Sequence, residues 1–304
     1  MTRLTALMQR EWLQHRFGWF LLAAVPLSLS VLLLAFARNA IADSELGAAG
    51  ALPAMLAAAS IAGTAAVMFV LAWFSSLIIV SGLARRDHAD RSIEFWLSVP
   101  VSHSASLGVP LFVHLIIVPA AAIAVGLLGG GVISALLVSR FGGGFGAWLS
   151  VPWAQVLPAS LAVALRLLAG LPLATLWLAP LVLLVVLLTA WFRRWGWVVL
   201  AVGLGLGGWL LKQVFGQPLL NEVTVQLLRH ARMALVNGRQ GGFHFDNASQ
   251  APQVLQAIPA WALHDFGAAL QDLASPLLAG GLLFAAGCFA LLVHWRQRGA
   301  GAAG

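Results

Sequence analysis

The run LVLLVVLL, Leu181 to Leu188, holds eight aliphatic residues with no polar break. A strand of an outer-membrane barrel alternates apolar and polar positions, so an unbroken run of this kind reads as a helix apolar on every side. Extended outward, the run becomes a segment from Leu171 to Phe192 that stops at Arg193 and Arg194. About 20 apolar residues cross the hydrocarbon core of a bilayer as a helix, and this segment meets that length.

Five more segments approach the same standard. They are Phe17 to Phe36, closed by Arg38; about Ile61 to Leu83, closed by Arg85 and Arg86; about Leu107 to Leu128, with a kink expected at Pro119; Trp195 to about Leu211, following the first segment almost without a turn; and Pro276 to Trp295, closed by Arg296 and Arg298. The expected fold class is therefore all-α, a polytopic membrane helix bundle with six transmembrane helices and a single domain over residues 1–304. Composition agrees. Of 304 residues 61% are hydrophobic and 9% charged, and the mean hydropathy is +0.93, far from the balance of a water-soluble domain.

The net charge of +7 raises nucleic acid as a partner, but the arginines are spread along the chain and Lys212 is the one lysine, so no basic domain is present to grip phosphates. Arginine instead sets orientation, because short loops rich in Lys and Arg stay cytoplasmic. With the N-terminus inside, Arg3, Arg10, Arg16, Arg85, Arg86, Arg91, Arg193, Arg194, Arg296 and Arg298 all fall on that side, ten of the seventeen basic residues. Both termini are then cytoplasmic. The external parts are Asn39 to Ser60, Ser139 to Gly170, and a long loop region at 213–275. Within the last, Val223, Leu227, Ala231 and Ala234 have helical spacing, and Leu219 to Val236 reads as a short amphipathic surface helix. Asn237 to Asn247 reads as a turn-rich loop, and Gly129 to Gly131 and Gly142 to Gly144 as loop punctuation. The N-terminal 16 residues are basic and lead into a retained anchor, with no cleavage motif at a signal-peptide distance.

Between the second and third expected spans stands ARRDHADRSIEFWLSVPVSHSASLGVP, Ala84 to Pro110. Charged Arg86, Asp87, Asp90, Arg91 and Glu94 share a helix with Ile93, Phe95, Trp96 and Val99, giving an amphipathic element ended by Pro100. Such a helix lies on lipid or inserts into a partner's groove. The string DRSIEFWLSVPVS, Asp90 to Ser102, resembles the cytoplasmic coupling-helix segment of bacterial ABC-2 type transporter permeases, in the same place between the second and third membrane helices. QREWLQHRFGWF, Gln9 to Phe20, resembles the interfacial elbow helix of that family, with Arg10, Glu11 and Trp12 in it. Relatives often carry lysine where Leu97 stands, and another lysine where this chain has Gly108, Val109 and Pro110.

The resemblance implies the membrane subunit of an ATP-driven exporter in a bacterial cytoplasmic membrane. Its coupling segment, 84–104, would dock on a separate ATP-binding cassette subunit through Asp90, Arg91, Ser92, Glu94, Phe95, Trp96 and Pro100. ATP and Mg would be bound by that subunit and no cofactor by this chain. It further implies a second copy of the permease, a homodimer with the substrate path between copies, and an amphiphilic cargo such as a peptide, antibiotic or lipid. On the residues themselves, no G-x-x-x-x-G-K-[ST] is present, so ATP hydrolysis is not expected of this chain.

Two other classes are weighed. A membrane-embedded enzyme needs catalytic groups at depth, yet neither H-E-x-x-H nor G-x-S-x-G occurs. His15, His88, His103 and His294 fall at expected interfaces or loops. His114 alone lies well inside a span, where an ionisable group is a candidate for the substrate path. Arg166, between Leu165 and Leu167, is expected to snorkel from an external interfacial helix. His244 and Asp246 lack an evident third metal ligand, and Cys288 has no partner cysteine, so no metal site is read. The second alternative, a passive channel or scaffold, leaves Phe95 and Trp96 without a purpose. Trp12, Trp19, Trp191, Trp195, Trp197 and Trp295 lie near span ends, as an interfacial belt requires.

Overall fold

The computed structural model describes residues 3–36, 52–83, 102–216, 218–238 and 250–301. Within them the chain is helical, with no strand. The elements are α1 (Arg3–Phe36), α2 (Leu52–Ser81), α3 (His103–Phe112), a π-helical turn (Val113–Ile117), α4 (Val118–Phe141), α5 (Phe145–Leu149), α6 (Trp153–Phe192), α7 (Gly196–Phe215), α8 (Leu219–Leu235), α9 (Ala251–Gln271) and α10 (Pro276–Gly301). Five helical stretches are long and apolar enough to cross a membrane: Thr5–Phe36, Leu52–Ser81, His103–Phe141, Trp153–Val214 and Pro276–Gln297. The chain is an α-helical, multi-pass membrane protein.

Five long stretches cover the six expected spans, because two of those spans fall in one stretch. The expected fourth and fifth spans belong to one stretch, Trp153–Val214, broken only at Arg193, whose φ of 57° is the one positive value among described non-glycine residues. α6 alone has 40 residues, about 60 Å of helix, twice the thickness of a hydrocarbon core. It starts at Trp153, so much of the expected external segment 139–170 is helix. α1 likewise runs from Arg3 through the expected elbow and first span as one helix of 34 residues.

α6 is the central element, and its neighbours change along its length. At its N-terminal end Val156 and Ala159 pack with Ala54, Ala57 and Ile61 of α2, Val138 of α4 and Leu255 of α9. One to two turns on, Ala164, Leu167 and Leu171 meet Ala65 and Phe69 of α2 and Ile123 of α4. Leu173, Ala174 and Trp177 face Leu227, Ala231 and Ala234 of α8 and Leu278 of α10. Near the C-terminal end Val186, Leu187 and Ala190 pack with Val80 and Leu83, Leu107, and Cys288 and Leu292. α2 and α10 therefore run parallel to α6, and α4 and α8 antiparallel to it.

One expectation about loops is overturned by packing. Gly129 to Gly131 lie inside α4, not in a turn. Gly126 and Gly130 face α2 so closely that a Cβ would stand 2.5 Å from Ala65 Cα and 2.7 Å from Ile61 Cα. Small residues four apart let two membrane helices approach backbone to backbone. Gly142 to Gly144 do form a turn, with Gly143 and Gly144 at positive φ. Within the region 213–275 the described residues form α8 and α9, and both cover α6. α8 has the expected limits and amphipathic face, but Leu227, Ala231, Met233 and Ala234 are buried against protein and not laid on a membrane surface. The turn-rich segment after Gly238 lies outside the described residues.

Candidate functional site: the N-terminal helix and the third span

Glu11 and His15, one helical turn apart on α1, face the same direction. The face they share is turned to the π-helical turn, which carries His114. Pro119 explains that turn locally: it has no N–H to offer the carbonyl one turn back, and Val118 N–H bonds instead to Val113 O, five residues earlier. The kink expected at Pro119 is thus realised as a π-turn, a feature that recurs at functional sites. It delivers His114 into the interior at 0% exposure, beside Glu11 at 1%.

His114 Nε2 lies 3.2 Å from Glu11 Oε2, and His15 Nε2 lies 3.9 Å from the same oxygen. The two imidazoles meet edge to face with centroids 5.0 Å apart. Trp19 closes the group, stacked on His15 and edge-on to His114. One ligating atom from each of Glu11, His15 and His114 falls within 4.8 Å of the others. Two candidates read separately from the sequence, Glu11 in the elbow and His114 in the third span, are therefore one cluster. His15 was missed because its role depends on a residue 99 positions away, and its only local signal is the four-residue spacing from Glu11.

Trp19 also forms one wall of an apolar cavity of about 550 Å³ between α1, α2 and the third span. Met8, Trp12, Phe20, Met68 and Val113 contribute to its lining, and Arg16 is its one charged lining residue. Of the expected elbow residues, Trp12 is 57% exposed while Glu11 is buried. Arg10 is half-buried.

A second polar node sits toward the other end of α6. Arg166 is 3% exposed and Asp265 1%, so Arg166 does not snorkel. Its Nε donates to Asp265 Oδ2 at 2.9 Å and its Nη2 stands 2.8 Å from the same oxygen. Nη1 donates to Ala234 O at 2.8 Å, a carbonyl left over at the end of α8. Asp265 also accepts from Asn237 N and Gly238 N, each at 3.0 Å. The pair thus caps α8 and ties it, with α9, to α6. Asp265 went unread, although it is an isolated acid in the apolar run Trp261 to Leu270, the mirror image of Arg166 among leucines, and opposite charges so placed seek each other.

The expected coupling residues Asp90, Arg91, Ser92, Glu94, Phe95, Trp96 and Pro100 lie outside the described residues, as do His88, His244 and Asp246. Their flanks are described. Leu83 and Leu107 share one core cluster, so these two flanks stand at the same end of the bundle. Thr189 Oγ1 donates to Ser81 O there, and Trp197 Nε1 donates to Ser81 Oγ at 3.2 Å. Arg193, Arg194 and Arg296 border this end. The chain matches no known protein family, no curated protein and no solved structure.

Proposed function

We propose that this chain is the membrane-spanning permease subunit of an ATP-driven exporter of the ABC-2 type, with six spans and both termini in the cytoplasm of a bacterium. It works as a homodimer with two separately encoded ATP-binding subunits, which hold ATP and Mg. The observation that carries the reading is the string DRSIEFWLSVPVS, Asp90 to Ser102, placed between the second and third spans. In this reading Phe95 and Trp96 are the anchors buried in a groove of the ATPase, with Asp90, Arg91 and Glu94 as its polar rim. Closure of the ATPase pair on ATP pushes the segment, and its flanks pass the movement to the ends of α2 and α3.

Three features support the orientation and the mechanics. Leu83 and Leu107, on either side of the segment, belong to the core that also packs the C-terminal ends of α6 and α10. Arginines 193, 194 and 296 border the same end, which suits a cytoplasmic face. Trp191, Trp195 and Trp197 are all about half exposed there, as residues of an interfacial belt are. The cargo we propose is an amphiphile, a peptide, antibiotic or lipid. The cavity beside Trp12 and Trp19, apolar with Arg16 at its edge, suits an apolar tail with an anionic head.

Affinity purification of the chain from its own host in mild detergent tests the assignment. An ATP-binding cassette protein is expected to co-elute, and Trp96→Ala is expected to weaken its docking by about 2 kcal/mol or more, enough to lose it during washing. A folded chain that brings down no ATPase would rule the exporter out in favour of an embedded enzyme or a passive channel.

A further inference from the structure

We propose that Glu11, His15 and His114 bind one divalent transition-metal ion, zinc by preference, which fastens the N-terminal helix to the third span. Two imidazoles and one carboxylate are a donor set that zinc takes readily, leaving a fourth position for water or a ligand. Both Nε2 atoms are directed at the same carboxylate oxygen, at 3.2 and 3.9 Å. In a tetrahedral zinc site with bonds of about 2.0–2.2 Å, neighbouring ligand atoms stand about 3.3–3.6 Å apart. The present spacing of at most 4.8 Å therefore needs only a small inward movement. His15 is the ligand able to make it, since its side chain is 24% exposed whereas those of Glu11 and His114 are enclosed.

The π-turn is what brings His114 to Glu11. It sits at residues 113–117 of an otherwise α-helical span, with His114 in it, and such turns commonly serve function. Trp19 packs on both imidazoles and separates them from the apolar cavity, which restricts water at the ion. The inference goes beyond the exporter assignment and does not depend on it.

The test uses the full chain in mild detergent, purified through a tag without histidine and stripped of metal with a chelator. Titration with Co²⁺ is expected to give the visible absorption bands of a low-coordinate site at one equivalent per chain, and Zn²⁺ is expected to bleach them. Glu11→Gln, His15→Ala and His114→Ala should each weaken cobalt binding at least as much as loss of an outer-shell partner does, about 10-fold or more. His103→Ala and His294→Ala should leave it unchanged. Circular dichroism and gel filtration identify any variant that misfolds. His15→Ala, at the most exposed position, decides the matter if the other two do. Absence of the bands in the folded wild-type chain, or His15→Ala binding cobalt as the wild type does, would overturn the proposal.

Discussion

Arg166 and Asp265, 99 residues apart in the chain, hold a buried pair in which nearly every polar atom is used. Removing one partner leaves the other charged and enclosed, a loss of about 3–5 kcal/mol. Arg166→Met and Asp265→Leu are therefore each expected to lower the apparent Tm in detergent sharply. The double variant Arg166→Met with Asp265→Leu should cost clearly less than the sum of the singles, because neither charge is stranded. Equal additivity in that cycle would mean the two side chains act independently. Arg193 is a different kind of residue-scale case. At φ 57° it occupies a backbone region that costs a non-glycine residue about 1–3 kcal/mol. Arg193→Gly should raise or preserve the apparent Tm, and Arg193→Val should lower it. The opposite order would show that the guanidinium, not the backbone, matters at the junction of α6 and α7.

The pair α2 and α4 depends on glycine at the scale of whole elements. With Gly130 Cα facing Ile61 across a gap too small for a methyl group, Gly130→Leu must push the helices apart. The overpacking cost is about 1–3 kcal/mol, and Gly126→Leu should behave alike. Gly131→Leu, where a Cβ would meet nothing within 4 Å, is the control and should be near neutral. Thermal unfolding of the three variants checks the prediction. α8 shows how context reassigns an element. Its apolar face is legible in the sequence, but the same face fits a membrane surface or a helix, and the face of α6 bearing Leu173 and Trp177 decides in favour of protein.

Arg193, Arg194 and Arg296 and the half-exposed Trp191, Trp195 and Trp197 stand at one end of the molecule, near Ser81 and Thr189, while Trp148 and Trp153 contact each other at the opposite end with centroids 5.2 Å apart. Single cysteines at Ser104 and Ala147 should therefore be labelled by a membrane-impermeant thiol reagent from opposite sides. In the orientation proposed above, Ser104→Cys should react only after the cytoplasmic side is opened, and Ala147→Cys in intact cells. Native Cys288, at 4% exposure, should add little background. Labelling of both from one side would overturn the arrangement. The exposed large side chains along the shaft, among them Phe17, Phe74, Ile78 and Leu283, form the surface that lipid covers, so their exposure is the ordinary state of a membrane protein.

What the sequence by itself determined was the class of structure. Runs such as Leu181 to Leu188 can satisfy their backbone in lipid only as helices, and that follows from composition without any partner. The limits of α8, the turn at Gly142 to Gly144, the special position of His114 and the presence of Glu11 in the N-terminal helix were also legible, because local spacing and breakers set them. The tertiary structure alone decided which polar groups meet. Hydropathy shows that a charge in an apolar run needs compensation but not where it comes from, so Arg166 read as a snorkelling residue until Asp265 stood beside it. It also decided where helices end: α6 and α4 continue past their apolar windows because neighbouring helices cover them. Glycine in α4 punctuates nothing, since α2 is near enough to need the space. Each of these depends on contacts between residues far apart in the chain, which no periodicity within one segment records.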